Sequence, residues 1–109
     1  MDRRFTQTMT VRCSDRARLL ELAEAWDVQQ ANADIMGYMG GRVLADRQDP
    51  GRYVIVADFA MIDPDVSAAD EAVRSNERPE TQASAVLLRE ILDDDIEFHD
   101  YDEIYRTDR

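Results

Sequence analysis

Asn76, Arg78, His99 and the tyrosines are the side chains of this 109-residue chain whose chemistry reaches beyond packing. Asn76 stands in Ser75-Asn76-Glu77-Arg78-Pro79-Glu80-Thr81, a stretch that interrupts a helical pattern. A carboxamide there can hydrogen-bond a ligand carbonyl or enolate, or it can close a helix C-terminus in left-handed geometry. Arg78 can grip a ligand carboxylate bidentately, or pair with Glu80 at the surface. His99 is the single histidine, and an imidazole can act as a general base near neutral pH. It shares strand parity with Glu97, Tyr101 and Glu103, which also fits an exposed histidine paired with an acid. Tyr38, Tyr101 and Tyr105 carry phenols that can donate to an oxyanion or pack at an interface. Asn76, His99 and Tyr101 form the expected catalytic set, stabilising a substrate anion. Arg78 and Tyr38 are the expected ligand contacts.

Other chemistries lack their residues. With one cysteine and one histidine, the chain cannot build an intrachain disulfide, a cysteine metal cluster or a multi-histidine metal site. Cys13 ends a predicted strand and is expected to be a small buried hydrophobe. All thirteen basic residues are arginines, so lysine Schiff-base chemistry is absent. No metal, nucleotide or flavin motif is present, and the expectation is a protein without cofactor or metal. A net charge of −11 repels phosphate backbones and anionic membrane surfaces, which argues against nucleic-acid or membrane partners. No apolar run approaches the ~20 residues of a membrane span. Met1-Asp2-Arg3-Arg4 leads into a strand pattern rather than an apolar signal segment, so a cytoplasmic location is expected.

The elements that must position these residues follow from periodicity. Residues 4–13 alternate as a strand, with Phe5, Met9, Val11 and Cys13 on one parity and Gln7 breaking it. Ser14-Asp15 starts a helix carrying Leu19, Leu20, Ala23 and Trp26, which fades through Gln29-Gln30-Ala31-Asn32. Residues 35–46 read as a second strand, with Gly40-Gly41 suggesting a bulge or a close backbone approach. Asp49-Pro50-Gly51 is a turn, so the third strand, Tyr53 to Ala60, should form a hairpin with the second. A helix is expected from Asp63-Pro64-Asp65, and another from Pro79, stopping by about Leu92 before Asp93-Asp94-Asp95 opposes its dipole. Ile96 to about Arg106 reads as the last strand. Met9, Met36, Met39 and Met61 can line an adaptable apolar pocket or fill core.

This is one domain over residues 1–109, of α+β class and ferredoxin-like βαββαβ order. Its four-stranded sheet is expected to be antiparallel with helices on one face, although each helical crossover is expected to join parallel neighbours. On the third strand Tyr53, Ile55, Ala57 and Phe59 share one parity and Val54 and Val56 the other. Both faces are therefore apolar at the centre of the sheet, yet the helices suffice for only one. A second copy is the simplest cover, giving a face-to-face homodimer.

The element order, the hairpin Asp49-Pro50-Gly51-Arg52-Tyr53-Val54 and the segment Ser75 to Thr81 together resemble the dimeric α+β barrel superfamily. Its nearest branch is the small actinobacterial proteins grouped with antibiotic-biosynthesis-monooxygenase-like domains. The resemblance covers nearly the whole chain. It implies a ligand pocket between sheet and helices, open near the break before Pro79. Members of the superfamily include cofactor-independent quinone-forming monooxygenases, haem-degrading enzymes, lactone isomerases, polyketide cyclases and proteins of no known activity. The haem-degrading pattern has an asparagine on the first strand and a histidine on the second helix. Here the first strand offers Thr6, Gln7, Thr8 and Thr10, and the histidine is on the last strand. The expectation is a protein binding a small apolar or aromatic ligand, monooxygenase-like on an aromatic or polyketide-like compound. The alternative is a non-catalytic accessory protein; an isomerase or cyclase follows, and then a haem protein, which would require His99 to reach the pocket.

Overall fold

The computed structural model describes residues 3–32 and 37–107. The elements are β1 (Arg4–Arg12), α1 (Arg16–Asn32), β2 (Tyr38–Ala45), β3 (Arg52–Ala60), α2 (Ala68–Asn76), α3 (Pro79–Ile91) and β4 (Glu97–Asp102). This is the ferredoxin-like βαββαβ order, and the strands pair as β2-β3-β1-β4, antiparallel throughout. The expectation of parallel neighbours is corrected. β1 and β2 run parallel, but β3 lies between them, and β1 likewise separates β3 from β4. Ile35 and Met36, expected in the second strand, lie outside the described residues.

Local chemistry sets the element ends. Asp15, not Ser14, caps α1, its carboxylate accepting from the Arg18 N–H at 3.0 Å. The helix expected from Asp63 starts later. Asp63-Pro64-Asp65 closes a turn, with Val66 N–H on the Asp63 carbonyl at 3.0 Å. Ser67 then caps α2 by accepting from Asp70 N–H at 3.1 Å. Pro79 opens α3, where a missing N–H costs nothing, and α3 ends at Ile91, ahead of the acidic run.

Gly40 and Gly41 do both things the pair suggested. The β2–β3 register slips between Tyr38 and Gly40, and Gly40 has φ +123°. A Cβ at Gly41 would lie 2.9 Å from the Val56 carbonyl. The Asp49-Pro50-Gly51 turn forms, and Arg12 clamps its Asp49 with two bonds of 3.2 and 2.6 Å.

The helix-facing side of the sheet carries two packed clusters. One comprises Phe5, Ala57, Phe59, Ala68 and Ala72, with Trp26 and Tyr38 against it. The other comprises Val11, Cys13, Leu19, Tyr53 and Ile55, with Leu88, Ile91 and Leu92 against it. Burying a side chain such as Phe59 or Leu19, exposed by 1% and 0%, stabilises by ~1.5–3 kcal/mol. Cys13 belongs to this core as expected. It bridges to Leu92, and Asp93 N–H bonds the Arg12 carbonyl at 2.8 Å, so the C-terminal end of α3 is tied to the end of β1. No helix among the described residues is long and apolar enough to cross a membrane.

Candidate functional site

Between the two clusters the side chains do not meet, and a cavity of about 500 Å³ remains. That is the size of a small-molecule site. Alternation along the strands decides its floor, which is Gln7 and Met9 from β1, Ile55 and Ala57 from β3, and Phe98 from β4. Leu22, Ala23 and Trp26 of α1 form one wall, and the stripe Gln82, Ala85, Val86 and Arg89 of α3 the other. Asn76, the last residue of α2, stands at the break between α2 and α3.

The polar groups at this break are linked. Asn76 Nδ2 donates to Gln7 Oε1 at 3.4 Å, and Gln7 Nε2 donates to Asp100 Oδ1 at 3.2 Å. The Asp100 carboxylate thereby fixes which end of the Gln7 amide faces Asn76. A 3.4 Å contact is long for such a bond, so a ligand carbonyl or enolate oxygen can replace it at little cost. Asn76 is not a helix cap, because Glu77 holds that position in right-handed geometry.

Below the break lies a second polar knot. Gln30 is 2% exposed. Its carbonyl accepts from Ser75 Oγ at 2.8 Å and its Nε2 donates to Thr81 Oγ1 at 2.9 Å. Ser84 Oγ donates to Gln29 Oε1 at 3.1 Å beside it. Gln30 therefore ties α1 to both helices on either side of the break.

The other expected site residues lie elsewhere. Met9 pairs with Phe98 and Thr8 with His99, so Phe98 faces the cavity and His99 faces the opposite side of the sheet. Tyr101, two residues on, shares that side. There His99 Nε2 meets Glu97 Oε1 at 3.1 Å and its ring stacks on Tyr101 at 6.3 Å. The expectation that Asn76, His99 and Tyr101 converge is not met within the chain, because strand alternation separates them. His99 does not reach the cavity, so the condition for haem ligation by His99 is not met in the chain either. Arg78 precedes α3 and bonds Glu80 at 3.4 Å. Tyr38 packs edge-on against Trp26 at 5.3 Å and donates to Asp27 Oδ1 at 2.6 Å. Burial, and then the Asp27 carboxylate, push its phenol well above the ordinary value. Tyr38 borders a smaller cavity of about 290 Å³, and Ala23, Trp26 and Ile55 line both. Tyr105 is exposed. Of the methionines, Met9 lines the large cavity and Met39 is exposed.

Gln7 and Arg89 line the cavity and Gln30 braces the break beside it; none was among the expected site residues. Gln7 had a signal, the break it makes in the apolar parity of β1. Gln30 and Arg89 had none, since glutamine and arginine are ordinary helix residues.

No protein-family model and no curated protein sequence matches the chain. Solved structures do. An antibiotic biosynthesis monooxygenase candidate from Caulobacter crescentus aligns with TM-score 0.77 and 9% identity over 95% of this chain and 92% of that one. One from Nitrosomonas europaea aligns at 0.73 and 13% identity, over 99% and 97%. SnoaB, a cofactor-independent oxygenase from Streptomyces nogalater, aligns at 0.74 and 16% identity, over 98% and 97%. The resemblance read from the sequence therefore holds for the fold, which this chain shares with antibiotic biosynthesis monooxygenase proteins.

Proposed function

We propose that the chain binds an apolar, aromatic or polyketide-like small molecule in the large cavity and oxygenates it without a cofactor. The observation that carries this reading is the cavity itself, about 500 Å³ and largely apolar, with the Asn76–Gln7 amide pair at one corner. The shared fold with SnoaB supports it. The chemistry suits a compound with an acidic ring methylene. Its deprotonated form gives electrons to dioxygen; the carbon loses two hydrogens, gains one oxygen atom as a carbonyl, and the second oxygen atom leaves as water. Asn76 holds the developing oxyanion. The described lining offers amides, hydroxyls and one guanidinium, which suits a substrate that ionises readily on its own. In this reading one 1–109 domain pairs with a second copy across the sheet face bearing His99, Tyr101, Val54 and Leu44, and works in the cytoplasm.

The test is oxygen uptake with anthrone-type substrates. Turnover that falls at least tenfold in Asn76→Ala supports the reading. Tight binding without oxygen uptake favours the second reading, a non-catalytic carrier. The placement of His99 and Tyr101 away from the cavity supports that alternative.

A further inference from the structure

The chain carries twenty-four acids against thirteen arginines, and most of its surface repels anions. The lining of the large cavity does not share that sign. Among the described residues, the only charged side chain lining it is Arg89, in the last turn of α3. Arg89 makes no ion pair with a carboxylate among those residues, a state it shares with Arg16, Arg42 and Arg47, but of these four only Arg89 borders the large cavity. A cation in that turn also favours the helix dipole, wherever its side chain points. Arg89 is exposed, so water solvates its charge when no ligand is bound, and a ligand anion at the cavity rim can take the place of that water.

The distance to the amide pair matters as well. Asn76 lies just before the start of α3 and Arg89 near its end. From Pro79 to Arg89 the helix rises about 15 Å. The cavity along α3 thus has a neutral hydrogen-bonding end at Asn76 and a cationic end at Arg89, with Ala85, Val86 and Phe98 between.

We infer that this cavity selects an elongated apolar acid, with a carboxylate or sulfonate held at Arg89 and a neutral oxygen reaching the Asn76 amide. The inference deepens the ligand-binding reading above and does not depend on turnover. Arg89 is a specificity residue, the one cation among the described residues that lies beside the apolar lining of this cavity.

The test uses two fluorescent probes with the same aromatic body, 8-anilinonaphthalene-1-sulfonate and uncharged N-phenyl-1-naphthylamine. The wild-type chain should bind the sulfonate more tightly despite its own negative charge. Arg89→Gln should weaken the sulfonate about tenfold, the scale of one charge-assisted hydrogen bond, and leave the neutral probe within about twofold. Arg47→Gln makes the same change in net charge at an exposed turn and should move neither. Ala85→Leu and Ala23→Leu, which fill the cavity from opposite walls, should weaken both probes. Equal binding of the two probes to the wild type overturns the inference and leaves the ligand-binding reading standing. So does a sulfonate preference that survives Arg89→Gln. Failure of both probes to bind, or binding untouched by both cavity-filling variants, overturns the inference and the cavity reading together.

Discussion

Phe98 and His99 are neighbours on β4 and face opposite sides of the sheet, Phe98 into the cavity and His99 away from it. One step along a strand reverses the side-chain direction, so the two positions should separate cleanly on mutation. His99→Ala should leave binding of an apolar probe within about twofold, whereas Phe98→Ala should weaken it about tenfold, the cost of roughly 1.4 kcal/mol of lost apolar contact. Fluorescence titration of both variants checks this. If the second copy covers the His99 face, His99→Ala should instead raise the dimer dissociation constant in sedimentation.

Gln30 is buried and bonds both Ser75 and Thr81. Gln30→Leu keeps much of the volume but leaves two hydroxyls without their partner. An orphaned buried polar group costs about 1–3 kcal/mol, and the variant should lose about that much in urea unfolding. The double variant Gln30→Leu with Ser75→Ala should recover part of the loss, since it removes one of the orphans.

Gly37 and Gly40 both have positive φ, at +88° and +123°. Alanine is strained at either, by roughly 1–2 kcal/mol. Gly37 carries a further penalty, because its Cβ would sit 2.6 Å from the Ala60 carbonyl, whereas nothing lies within 4 Å of a Cβ at Gly40. Gly37→Ala should therefore have the lower melting temperature of the two.

Two hairpin carboxylates contribute to the acid limb of stability. Asp46 is held below the ordinary carboxylate range by the Gln48 N–H and then by Arg52, and Asp49 by the Arg12 guanidinium. Both pKa values are depressed on folding. Their stabilisation is present above the unfolded value, about 3.9, and is lost as pH falls through the folded values. Unfolding midpoints measured from pH 6 down to pH 2 should fall most steeply below about pH 4, and Asp49→Asn should flatten part of that slope.

Much of the architecture was legible in the sequence, because it rests on periodicity and punctuation. The parity of β1, the Asp49-Pro50-Gly51 turn, the Gly40-Gly41 irregularity and the stop before Asp93 each announce themselves locally. The sheet order did not, since β3 inserts between β1 and β2 through long-range pairing that no local pattern encodes. Asp63-Pro64 imitates a helix start, and the true start depends on the hydroxyl of Ser67. Asn76 was found because it stands at a break. The segregation of His99 and Phe98 follows from alternation alone, but which parity faces the helices depends on the register with β1. The charge selectivity assigned to Arg89 had no sequence signal, since it arises from the absence of acids on a wall assembled from several elements.

The two ends of α3 are fastened by different means, to α1 through Gln30 and Gln29 and to β1 through Cys13 and Arg12. A helix fixed at both ends behaves as a beam, which can bow slightly but cannot swing open. Ligand exchange must then pass along its flank, where Val86 and Phe98, each about half exposed, border the cavity. Side-chain rotations of such residues take picoseconds to nanoseconds, far faster than the movement of whole elements. Association should therefore be limited by diffusional encounter rather than by protein opening, with a rate that grows linearly with ligand concentration and shows no plateau.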